Sequence, residues 1–107
     1  PYAEWCLEPR EQLKETCLGV LGKLATRDRE TGVFERSVRR YRQSLRIDPL
    51  REQVHQGLMR TLWEAGRPDE ALRQYNACRE MLRRELDVDP LPETQRLSAR
   101  IRKTSFG

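Results

Sequence analysis

An all-α fold of antiparallel helix hairpins is predicted by three observations. Apolar residues recur at three- and four-residue steps along nearly the whole chain, no stretch alternates with period two, and Gly and Asp-Pro punctuation interrupts the pattern at intervals. The composition agrees. In 107 residues, 36% are apolar and another 36% charged, a hydrophilic balance that suits a thin stack of amphipathic helices, each burying one stripe. The length allows one domain, spanning 1–107, and not two independent cores.

Pro9 opens a first helix running to about Arg27, with Leu13, Cys17, Leu18, Leu21, Leu24 and Ala25 at helical spacing. Asp28 to Gly32 reads as a polar turn. The second helix, about Val33 to Ile47, carries Phe34, Val38, Tyr41 and Leu45 on one face. Asp48-Pro49 then predicts a cap followed by a first helical residue. The third helix runs to about Ala65, with Leu50, Val54, Leu58 and Leu62 at four-residue steps, and Gly66 ends it as a C′ residue. The fourth spans about Pro68 to Leu86 and turns Ala71, Leu72, Tyr75, Cys78 and Leu82 inward. Asp89-Pro90 and Pro92 punctuate again before a short fifth helix, about Glu93 to Lys103, with Leu97 and Ile101 inward.

Sliding the chain along itself by 34 residues superimposes Val20 on Val54, Leu24 on Leu58 and Gly32 on Gly66. Past the turn, Ser37 meets Ala71, Val38 meets Leu72, Tyr41 meets Tyr75 and Ser44 meets Cys78. Thirty-four is the tetratricopeptide period. The residue types have a physical reason. Two helices joined by a tight turn approach closely only where side chains are small, and an aromatic ring fills the space beside them. The repeats span about 18–51 and 52–85, with a capping helix at about 93–103. The predicted fold is therefore a tetratricopeptide-like, right-handed stack of antiparallel hairpins with about five helices.

Composition narrows the function classes. No run reaches the length of a membrane span and no signal-peptide pattern stands at the start. The chain begins at Pro1 without a methionine, which points to a piece of a longer protein. The net charge is +4, and 18 of the 21 basic residues are Arg. That is modest for a dedicated nucleic-acid binder. The expectation is weak duplex binding without sequence preference. Cys6, Cys17 and Cys78 lack the spacing of a metal or redox motif; Cys17 and Cys78 fall on apolar stripes and read as free thiols, consistent with a reducing, cytoplasmic location.

Neither a catalytic constellation nor a metal or cofactor site is legible. His55 is the single histidine, the six glycines form no phosphate loop, and Asp69-Glu70 and Glu4/Glu8 sit near helix starts where they complement the dipole. The chain reads as a non-enzyme. The best site candidate is the basic cluster Arg36, Arg39, Arg40, Arg42 and Arg46, lying away from the apolar stripe of the second helix. Trp63 lies one residue off the third helix's stripe and reads as half exposed on the concave side. His55 stands where a tetratricopeptide repeat prefers Trp. Both are candidate partner contacts, against core packing.

The stretch from Asp48 to Leu97 resembles the bacterial transcriptional activator domain. The ordered pieces are Asp48-Pro49-Leu50, Glu52, His55, Leu58-Met59, Gly66-Arg67, Ala71-Leu72, Tyr75, Leu82, Glu85-Leu86, Val88, Pro90, Pro92-Glu93-Thr94 and Leu97. Tyr2, Trp5, Arg10 and Leu13 extend the likeness upstream. Asp87 departs from it, standing where the family usually has Gly, at a helix end that calls for a left-handed conformation. The resemblance implies a regulatory and oligomerisation domain, following a winged-helix DNA-binding domain absent here. It implies protein partners: self-association, neighbouring domains or RNA polymerase. In that setting the Arg cluster can meet acidic protein residues or DNA phosphates flanking the site read by the missing domain. The alternative is a generic tetratricopeptide scaffold binding a protein or peptide outside transcription.

Overall fold

The computed structural model describes residues 11–107. Within them the chain forms α1 (Glu11–Glu30), α2 (Phe34–Ile47), α3 (Glu52–Glu64), α4 (Pro68–Leu86) and α5 (Pro92–Phe106), with no strand. The predicted opening at Pro9, and Tyr2, Glu4, Trp5, Cys6, Glu8 and Arg10, lie outside the described residues. Successive helices pack as hairpins, α1 on α2 and α3 on α4, with α2 against α3 and α5 against α4 and α3. The slab measures 44 × 36 × 17 Å. Seventeen ångströms is less than two helix diameters, so every helix keeps a wet face and the low apolar fraction suffices.

The turns carry the repeat. At the end of α1, Gly32 (φ +80°) sends its N–H to Arg29 O at 3.1 Å, and Val33 N–H reaches Asp28 O at 2.7 Å. At the end of α3, Gly66 (φ +79°) bonds Trp63 O at 3.0 Å, and Arg67 bonds Leu62 O at 2.8 Å. This is one Schellman closure used twice, 34 residues apart, and glycine serves because φ is positive. Asp87 takes the corresponding left-handed position after α4, at φ 53°, as its place in the motif predicts.

Between hairpins the small residues do what their size suggests. Ser37, Ala71 and Cys78 are fully buried and Ser44 nearly so. Ser37 Oγ donates to Ala25 O at 2.8 Å and shares a 3.2 Å contact with Thr61 Oγ1, while Thr61 Oγ1 donates to Gly57 O at 2.8 Å. Every buried hydroxyl in this layer thus has a partner, as close packing of polar groups requires. Tyr41, 6% exposed, lays its ring against Gly57, where a β-carbon would come within 2.5 Å of it.

Three element bounds are corrected. Helix α1 continues past Arg27 to Glu30 because Asp28 points inward and is only 4% exposed. Helix α3 starts at Glu52 rather than Pro49. The Asp48 carboxylate accepts from Leu50 N–H at 3.2 Å and Arg51 Nε at 3.0 Å, which closes a separate turn over Pro49 and Leu50. Val20 is 42% exposed, whereas its repeat-mate Val54 is half-buried. Helix α5 extends beyond Lys103 to Phe106.

The cysteines also differ from expectation. Cys17 is disulfide-bonded, so the cysteines lend no support to a reducing location. Cys78 is a free thiol, fully buried, and desolvation, with the Glu52 charge behind it, pushes its pKa up to about 12. It packs as a small hydrophobe and is not a nucleophile.

Candidate functional site

The five arginines of α2 separate into two groups. Arg36 Nη2 and Arg40 Nε each hold a different oxygen of the buried Asp28 carboxylate at 2.8 Å. The Arg36 hydrogen bond holds that carboxyl below its usual range; burial opposes this, and Arg40 adds to the pull. These two guanidiniums tie α2 to α1. Arg39, Arg42 and Arg46 remain exposed, at helical steps of three and four. Among the described residues Arg39 and Arg46 pair with no carboxylate, and Arg42 exerts only a through-space pull on Glu70, which is ion-paired with Arg67.

His55 is withdrawn from solvent at 4% exposure. Its Nε2–H donates to Pro49 O at 2.8 Å, and its Nδ1 accepts from Gln74 Nε2 at 2.8 Å. That pattern fixes the neutral tautomer, and the ring joins the α2–α3 turn to α4. Desolvation lowers its pKa; the Pro49 carbonyl and the Glu52 charge oppose this. Because the folded pKa lies below the unfolded value of about 6.5, stability is full above that pH and declines as pH falls beneath it. A melting temperature that falls between pH 7 and pH 5, and stays flat over that range in His55→Gln, is the expected result. A wild-type curve flat over the same window would contradict it.

Trp63 is half-buried, packed against the core edge, with the Arg100 guanidinium of α5 5.6 Å from its ring centroid. It lies at the α3–α5 junction. The start of α5 is organised by α3 as well. Leu91, at the N-cap, offers no side-chain cap; instead Glu52 accepts from Leu91 N–H at 2.6 Å and from the buried Thr94 hydroxyl. Gln56 donates to Thr94 Oγ1 at 2.8 Å. The Pro92-Glu93-Thr94 motif thus has a physical role: proline opens the helix and threonine keys it to α3.

Sequence reasoning missed one surface. Helices α1 and α3 barely touch, and a groove of about 570 Å³ runs between them. Gly19 and Gly22 form its bare wall; a β-carbon at either would meet nothing within 4 Å. Leu18, Val54, Tyr41 and Thr26 contribute the floor, and Glu15, Lys23, Arg27, Glu30 and Arg51 the charged edge. Arg51 pairs with Glu15, and Arg29 with Glu64 at 3.0 Å, bridging α1 to α3. The available signal was two glycines three apart in a helix interior, where glycine costs about 1 kcal/mol against alanine. Neither a turn nor a cap explains them. Among the described residues no three His, Cys, Asp or Glu side chains gather as a metal site, and no helix is long and apolar enough to cross a membrane.

Antiparallel hairpins repeated at a 34-residue offset, with a groove between the first helices of each pair, define an all-α, tetratricopeptide-like stack. The chain belongs to the bacterial transcriptional activator domain family, whose sequence model matches residues 1–102. It is similar to "Regulatory protein AfsR" of Streptomyces griseus, at 36% identity over 101 residues, covering 94% of this chain and 10% of that protein. "Regulatory protein AfsR" of Streptomyces coelicolor matches with the same identity and coverage. The chain spans about a tenth of the length of these curated relatives. No solved structure gives a significant match. The chain is therefore a domain of the transcription-regulator type.

Proposed function

We propose that this chain, as a single domain, is the non-catalytic regulatory and protein-interaction part of a cytoplasmic DNA-binding transcription regulator. The regulator reads DNA through a winged-helix domain outside this sequence. The groove between α1 and α3 is the surface that takes a partner segment, a second copy of the regulator first among the candidates. Neighbouring domains and RNA polymerase are the heterologous alternatives.

The observation that carries this reading is the bare glycine wall. Gly19 and Gly22 forgo helix stability and keep open a cleft whose apolar floor and charged edge suit a side-chain-bearing segment of protein. Family membership supplies the setting, since both similar proteins are named regulatory proteins.

Gly22→Trp tests it. A β-carbon at position 22 meets nothing within 4 Å, and replacing a helical glycine ordinarily favours the helix; unchanged circular dichroism checks that the larger ring leaves the fold in place. Sedimentation at several concentrations is expected to show self-association of the wild-type chain and loss of it in the variant. Unchanged association would remove the groove from the interface.

A further inference from the structure

We infer that Arg39, Arg42 and Arg46 form a phosphate-contacting row that lies on the backbone of duplex DNA. Helix α2 carries five Arg against the lone Glu35, a net charge of four, equal to the surplus of the whole chain. The structure shows where that surplus is spent. Arg36 and Arg40 are committed to Asp28, and Glu35 is paired with Arg67 at 2.6 Å. On the neighbouring start of α4, Asp69 pairs with Arg73 at 3.6 Å and Glu70 with Arg67. The carboxylates around this face are thus engaged by other arginines, Glu35 and Glu70 sharing Arg67, and Arg39, Arg42 and Arg46 carry exposed positive charge outside those pairs.

The geometry of the row suits a linear anion. Three side chains at i, i+3 and i+7 on one helix face span about 10 Å along the axis. Over that distance one strand of B-DNA presents about three phosphates. Helix α2 packs on α1 and α3, and Arg39, Arg42 and Arg46 on its other side are exposed. Guanidinium forks match phosphate oxygens in pairs.

The same face argues against a protein partner. Protein interfaces draw their energy from desolvated aromatic and apolar anchors ringed by polar groups. The exposed positions of α2 are Glu35, Arg36, Arg39, Arg42 and Arg46, with no apolar residue among them. Of the exposed large apolar side chains, Val33 stands at the N-cap of α2, ahead of its first turn, and Val20, Leu86, Val88, Leu91 and Phe106 lie elsewhere. A face with charge and no anchor suits phosphate, where counterion release supplies the affinity and no dry core is needed. It carries no base readout, so its role is to hold the domain along DNA adjoining the site recognised elsewhere in the regulator.

The test uses the 107-residue chain and fluorescent duplexes of unrelated sequence, titrated from about 50 to 200 mM salt. Wild type is expected to bind all duplexes alike, with affinity falling steeply as salt rises. The triple variant Arg39→Gln, Arg42→Gln, Arg46→Gln should lose about 0.9 of log–log salt slope per phosphate contact, about 2.7 in all. Its circular dichroism should be unchanged, because the three exposed side chains make no ion pair among the described residues. The triple Arg→Lys variant should keep the wild-type slope, and Gly22→Trp should keep it too, which separates this row from the groove. Equal slopes in wild type and the triple Gln variant would overturn the inference. So would absence of duplex binding at the lowest salt, or tighter binding of polyglutamate than of a duplex of equal charge, which would assign the face to an acidic protein.

Discussion

Gly57→Ala is expected to destabilise the domain by about 1–3 kcal/mol, although glycine-to-alanine in a helix interior ordinarily stabilises by up to about 1 kcal/mol. The sign reverses because of Tyr41. A β-carbon on Gly57 would stand 2.5 Å from two ring carbons of Tyr41 and 2.7 Å from its hydroxyl. The ring cannot swing freely. It is 6% exposed, belongs to the central core, and its hydroxyl shares a 3.3 Å contact with Thr26 Oγ1 on α1. Relief therefore requires α3 to move from α2 or the ring to leave its place. In a domain of this size each kcal/mol corresponds to about 4–8 °C of Tm. Thermal unfolding of Gly57→Ala alone and in a Tyr41→Leu background checks the cause. The destabilisation should vanish or reverse once the ring is gone. A stabilised single variant would contradict the packing described for α2 and α3.

Asp28→Asn is expected to cost about 1–3 kcal/mol through loss of the carboxylate that holds both Arg36 and Arg40. The two guanidiniums are partly exposed, at 49% and 21% of their side-chain surface, so they retain water and the cost stays below that of a dry ion pair. The effect has a pH signature. The Arg36 hydrogen bond depresses the Asp28 pKa in the folded state. Stability from this group is therefore present above the unfolded value of about 3.9 and is lost as pH falls through the folded one. The stability gap between wild type and Asp28→Asn should be constant from neutral pH to about pH 4 and close below it. A gap that persists unchanged into strong acid would mean that packing, not charge, holds the α1–α2 corner.

These two residues also mark what the sequence could and could not disclose. Turn chemistry was legible because it is local: Gly32 and Gly66 take positive φ, and Asp87 takes the left-handed place where the family motif has glycine. The 34-residue offset was legible because small residues and rings must alternate where hairpins touch, and Ser37, Ala71 and Cys78 are indeed fully buried. Asp28 was not legible. In sequence it opens a polar run, and only the return of α2 brings two arginines onto it and carries α1 onward to Glu30. The sorting of the arginine cluster depends on that same fold-back, so five similar residues in sequence become two clamps and a row of three in space. His55 was read against a Trp position, but its two ring bonds to Pro49 and Gln74 span separate elements. Gly57 and the Gly19–Gly22 wall escaped notice for a related reason. A glycine inside a helix signals either close approach or open space, and the neighbouring helix decides which.

The groove is the centre of the account, and transcription by the intact regulator carrying Gly22→Trp tests it most directly. Promoter occupancy and transcript yield would be measured in the same reaction, beside wild type. The expected result is unchanged occupancy with transcript yield reduced to the level without regulator, because position 22 lines the cleft between α1 and α3 and a β-carbon there meets nothing within 4 Å. Full transcript yield at unchanged occupancy would contradict it and place the working surface elsewhere on the stack.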